Sequence, residues 1–128
     1  MTDAQPAPGP VTVGTILHWS CRYSRQDLRE FAELSGRDDL DTEPAWLPDL
    51  LVIAPLTKLG GDLNYISRVM TWTAHRPVGV DEEIRAELEV TALDGTGPMT
   101  RIEFDARILD EAGVPVLSGT SRGILHQA

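Results

Sequence analysis

The feature that most restricts this chain is a period of two in its second half. Residues 83–93 place Ile84, Ala86, Leu88 and Val90 on one side and Arg85, Glu87 and Glu89 on the other. Residues 100–110 repeat the pattern, with Ile102, Phe104, Ala106 and Ile108 set against Arg101, Glu103, Asp105 and Arg107. Successive side chains of a strand point to opposite faces, so each segment is expected as a strand with one face buried. Residues 66–75 and 114–125 alternate less strictly and are read as two further strands. RPVGVDE, DGTGPM and DEAG supply the connecting turns, the last a tight hairpin through Gly113. No internal repeat is evident.

The first half reads differently. Ser24 and Asp27 have the spacing of a capping box, and Leu28, Phe31, Ala32 and Leu34 follow at helical spacing. Gly36 closes the run, which predicts a helix over 25–34. SGRDDLDTEPAWLPD is dense in turn formers and acids and is expected as a structured loop. Pro55 argues against a central strand and suits a helix first turn, so a second helix is placed at 54–65. Gly60 and Gly61 would weaken it by roughly 1 kcal/mol each, a cost that makes sense if a sheet or ligand lies close. The segment 11–24 reads as an entry arm or short strand leading to the helix, and the three prolines within residues 1–10 predict a flexible arm.

These elements predict an α+β fold. Strands covered on one side need one partner layer, and the second helix is the available cover. A curled antiparallel sheet wrapped around that central helix satisfies both. An unrelated helix-plus-sheet arrangement is the alternative. Either sheet edge would favour strand addition in a dimer.

Composition narrows the partners. Twenty acids against eleven bases leave a net charge of -9, which opposes a broad nucleic-acid surface or an anionic membrane patch. A single arginine can still hold an acidic substrate locally. The lone Cys21 excludes an intrachain disulfide, and MTDAQPAPGP has neither the basic nor the apolar part of a secretion signal. A cytoplasmic protein is expected. The three histidines are widely spread, and Asp38, Asp39 and Asp41 lack the spacing of a calcium loop, so no metal site is expected. Gly95 and Gly97 fit a turn, not a phosphate loop, and no cofactor is expected.

Four segments in order, YSRQDLREFAELSG at 23–36, APLTKLGG at 54–61, HRPVGVDEEIRAELEV at 75–90 and DEAGVPVLSG at 110–119, resemble the MaoC-like hydratase and dehydratase group of the hotdog fold. Together they cover most of residues 11–125, taken as one domain running to 128. The resemblance implies homodimers or larger assemblies and thioester substrates on coenzyme A or acyl carrier protein. It also implies an aspartate directly after the SG pair and a histidine five positions beyond it. Arg37 and Thr42 stand there instead, so both customary catalytic groups are absent.

Other residues are then candidates for the chemistry. Arg37 could hold a carboxylate, phosphate or enolate-like oxygen through two parallel bonds. Asp39, or its neighbours Asp38 and Asp41, could act as base if burial raised its pKa. Tyr65 could donate to a carbonyl, with Asp62 orienting it or serving as base and Asn64 beside it. The alternative for these three is ordinary helix termination. His75 ends the first long strand, where an imidazole could carry a proton in a cleft, or it is a surface residue. Trp46, Met70 and Trp72 could line a substrate pocket, with core packing the alternative for the last two.

The expected function is a noncanonical dehydratase or cyclase for a β-hydroxyacyl or polyketide-like intermediate in secondary metabolism. Two alternatives are an inactive accessory subunit of a MaoC-like hydratase and an acyl thioesterase.

Overall fold

The capping box forms as its spacing predicts. In the computed structural model, which describes residues 11–95 and 98–126, Ser24 Oγ accepts from Asp27 N–H at 3.1 Å, and Asp27 Oδ2 accepts from Ser24 N–H at 2.8 Å. Helix α1 (Arg25–Ser35) follows and ends at Gly36, whose left-handed φ of 71° lets its N–H return to the last turn. The arm expected at 1–10 and residues 96–97 of the DGTGPM turn lie outside the described residues.

Helix α2 (Asp49–Asp62) corrects the placement at 54–65. Pro55 sits inside the helix, not in its first turn. An interior proline removes one backbone bond and costs about 3 kcal/mol. Burial of Val52, Pro55, Leu56 and Leu59 offsets that cost. The helix stops at Asp62 because Asn64 takes a positive φ of 57°. Tyr65 therefore opens a strand and does not belong to the helix.

Five strands make one antiparallel sheet: β1 (Ile16–Arg22), β2 (Tyr65–Ala74), β3 (Glu83–Asp94), β4 (Met99–Leu109) and β5 (Pro115–His126). Their order is β1-β3-β4-β5-β2. One row across the sheet reads Leu17, Leu88, Ala106, Gly119, Trp72, and the next reads Val90, Phe104, Ser121, Met70. This face carries the apolar half of the alternation and packs with α2. Leu59, Ile84, Phe104 and Ile108 are almost wholly buried in it. Each contributes roughly 1.5–3 kcal/mol.

The curled wrap around the central helix is corrected by this topology. The sheet is open: β1 pairs with β3 and β2 with β5, which leaves β1 and β2 as two edges. Alternation reports only that one face is covered. It carries no information on curvature or closure, so an open sheet with a helix on one face satisfies it equally.

Between β5 and β2 the backbones approach unusually closely. A Cβ at Gly119 would sit 1.8 Å from Thr71 O, and one at Gly123 would sit 2.0 Å from Ile66 O. Only glycine fits at either place, which explains two glycines inside a strand. Ser121 lies between them on the same face.

Candidate functional site

The end of α2 feeds directly into a cluster of three hydroxyls. Tyr65 is the first residue of β2, and its ring meets Phe104 edge-on at 4.9 Å between centroids. Gly60 makes room for it: a Cβ there would be 3.2 Å from Tyr65 Cδ2. The phenol oxygen shares a 2.6 Å hydrogen bond with Ser121 Oγ. Ser121 Oγ lies 3.2 Å from Ser67 Oγ as well. Ser121 is only 2% exposed. A hydroxyl buried on an apolar face needs such partners, and the result is a polar relay beside the helix end. It can donate to a carbonyl or alkoxide oxygen and draw a replacement proton through Ser121.

Ser67 and Ser121 were not among the candidates read from the sequence. The signal was present in the small residues Gly119, Ser121 and Gly123, which occupy a strand face otherwise carrying Leu117 and Leu125. Their partner strand could not be read from the spacing.

Asp62 and Asn64 flank the cluster without joining it. Asp62 Oδ2 accepts from Lys58 Nζ at 2.5 Å, one helical turn back, and Lys58 lies 5.5 Å from the centre of the Trp19 ring. Asn64 turns the chain, and its carbonyl accepts from His126 N–H at 3.2 Å.

The loop candidates pair with each other. Arg37 Nε and Nη2 donate to the two oxygens of Asp39 at 2.8 and 3.0 Å. Their side chains are 51% and 64% exposed. The guanidinium holds the Asp39 carboxyl below its ordinary value, the opposite of the rise expected for a base. Asp41 is likewise held low, by Arg29 and Arg25. Thr42, at the position where the resemblance implies histidine, donates from Oγ1 to Pro44 O at 3.0 Å.

The other candidates are dispersed. His75 Nε2 bonds Ser118 Oγ at 2.7 Å. Met70 and Trp72 share the helix-side face, opposite Ser121 and Gly119. Trp72, on the edge strand β2, remains 41% exposed. Trp46 is half exposed and pairs through its backbone with Gly79. Among the described residues, no group of three His, Cys, Asp or Glu side chains is placed to hold a metal. No helix among them is long and apolar enough to cross a membrane.

No protein-family profile and no curated protein sequence matches this chain. Solved structures do. The (R)-hydratase from A. caviae involved in PHA biosynthesis superposes with a TM-score of 0.78 at 23% identity, over 91% of this chain and 98% of that one. R-hydratase PhaJ1 from Pseudomonas aeruginosa gives 0.77 at 21% identity, over 91% and 82%. The C-terminally truncated HadBC complex, a (3R)-hydroxyacyl-ACP dehydratase from Mycobacterium tuberculosis, gives 0.68 at 15% identity, over 88% and 96%. The chain thus has the fold of MaoC-like hydratases and dehydratases, the hotdog fold that the sequence resemblance implied.

Proposed function

We propose that the protein is a noncanonical dehydratase or cyclase acting on a β-hydroxyacyl or polyketide-like thioester, carried on coenzyme A or acyl carrier protein. The observation that carries this reading is the Tyr65–Ser121–Ser67 hydroxyl cluster at the end of α2. The names of the similar structures, two hydratases and a hydroxyacyl dehydratase, support the substrate class. In dehydration a base takes the proton next to the thioester carbonyl, the β-hydroxyl leaves, and Tyr65 gives it the proton that makes water. In cyclisation the same donor would stabilise the enolate oxygen instead. Asp62, three positions before Tyr65, is the carboxylate assigned as base. Asp62 would have to leave Lys58 to serve, as Asp39 would have to leave Arg37. Met70 and Trp72 would line the acyl path, with Trp46 and Asn64 at its margins and His75 a second proton carrier. The working unit is a homodimer or an assembly with a MaoC-like partner.

The test is incubation of the purified protein with 3-hydroxyacyl and polyketide-like thioesters, following product mass and free thiol. Loss of water or ring closure, reduced about a hundredfold in Tyr65→Phe, supports the proposal. Thiol release alone would make the protein a thioesterase.

A second reading has its own observation. The sequence resemblance implies that Arg37 and Thr42 stand in place of the usual acid–base pair, and Arg37 is tied to Asp39. An accessory subunit supporting the pocket of an active partner would need neither group. Native mass measurement separates the two, since an inactive homodimer that gains activity only in a mixed assembly fits the accessory role.

A further inference from the structure

Eight of the eleven lysines and arginines have a carboxylate partner within 4.0 Å. The remaining three, Arg68, Arg101 and Arg122, have none among the described residues. They are not scattered. All three line one depression of about 380 Å³, together with Ile102, Glu103, Gly123 and Ile124.

The sheet register explains the convergence. Arg101 alternates with the buried Thr100 and Ile102, and Arg122 follows the buried Ser121, so both point away from the helix-covered face. Arg101 lies opposite Ile124 and Arg122 opposite Glu103. The two arginines are therefore diagonal neighbours, roughly 7–8 Å apart at the backbone. Arg68 joins them from β2, where the pairing with β5 shifts between Ser67 and Val69. Ile66, opposite Ile124, continues the face.

Three guanidiniums without counter-ions repel one another. They stay unpaired in a chain with nine excess negative charges. Glu103 lines the same depression, and Asp94 faces Arg101 across the β3–β4 pairing, yet neither forms an ion pair with the arginines. Guanidinium forks match phosphate oxygens two at a time. The chain's negative field disfavours a large polyanion, whereas a depression of this size admits a small ligand.

We propose that Arg68, Arg101 and Arg122 form a binding site for the phosphate groups of a small phosphorylated ligand. Under the function proposed above, these would be the phosphates at the nucleotide end of a thioester carrier, and only this last assignment rests on that reading. Glu103 opposes the ligand and weakens its binding.

Calorimetric titration at low salt tests the site with inorganic pyrophosphate, coenzyme A and phosphate-free pantetheine. The variants are Arg101→Gln/Arg122→Gln and Glu103→Gln, each checked for native circular dichroism. The site predicts pyrophosphate binding that falls about tenfold or more in the double variant and tightens in Glu103→Gln. No pyrophosphate binding, or equal binding by the double variant, overturns it. Coenzyme A binding more tightly than pyrophosphate, with pantetheine silent, supports the carrier assignment. Equal binding of coenzyme A and pyrophosphate overturns that assignment and leaves the phosphate site standing. None of these readings requires turnover, so failure of the site and failure of the Tyr65 chemistry are separately visible.

Discussion

Arg37 holds Asp39 through two parallel hydrogen bonds of 2.8 and 3.0 Å across a single intervening residue. The pair closes on itself in the exposed loop that follows α1. Asp39 is thereby kept in its charged form, and its carboxyl titrates below the ordinary range.

Carbon-detected NMR of Asp39 therefore shows an acidic titration and no change near neutrality. Arg37→Gln shifts that titration upward toward the ordinary aspartate value. Because both groups are largely exposed, the melting temperature barely moves in either Arg37→Gln or Asp39→Asn. An Asp39 titration close to pH 7 would restore it as a candidate base.

The Tyr65 cluster responds differently. Tyr65→Phe leaves Ser121 with one partner fewer and costs about 1 kcal/mol in denaturant unfolding. Ser121→Ala removes the centre of both bonds and costs about 2 kcal/mol. If the cluster only packs, activity follows the folded fraction. If it donates protons, kcat in Tyr65→Phe falls far more than stability does.

Gly119→Ala and Gly123→Ala press a methyl group into the backbone of β2. Each is expected to cost about 3 kcal/mol or to prevent folding. Gly61→Ala is the control: it has open space around it in α2 and gains about 0.5–1 kcal/mol. Urea unfolding of the three variants measures the contrast.

Arg76 bridges Glu82 and Asp110, joining the loop before β3 to the β4–β5 turn. Both carboxyls are held below their ordinary values, Glu82 chiefly by the Arg76 hydrogen bond and Asp110 chiefly by the Val114 N–H. The unfolded chain therefore binds protons more readily than the folded one. Their stabilisation is complete above the ordinary carboxylate range and is lost as pH falls through the lowered folded values. Arg76→Gln should flatten the acid limb of a stability–pH profile, with less change at pH 8 in its slope.

Cys21 is 5% exposed, and burial pushes its thiol up to about 11. The native protein should react with a thiol reagent at pH 7.5 far more slowly than the unfolded chain. Stopped-flow alkylation with and without guanidinium checks this.

Local signals carried much of the architecture. The Ser24–Asp27 cap, the Gly36 stop and the alternations at 83–93 and 100–110 depend on residues a few positions apart, so α1, β3 and β4 could be read directly. Pro55 misled for the same reason: the local rule placed it at a helix start, while burial of Val52, Leu56 and Leu59 kept it inside α2. The openness of the sheet, the Tyr65–Ser121 bond across 56 positions and the meeting of Arg68, Arg101 and Arg122 were decided by strand order and register. Those are long-range pairings, set by which face of each strand meets α2, and no spacing along the chain encodes them.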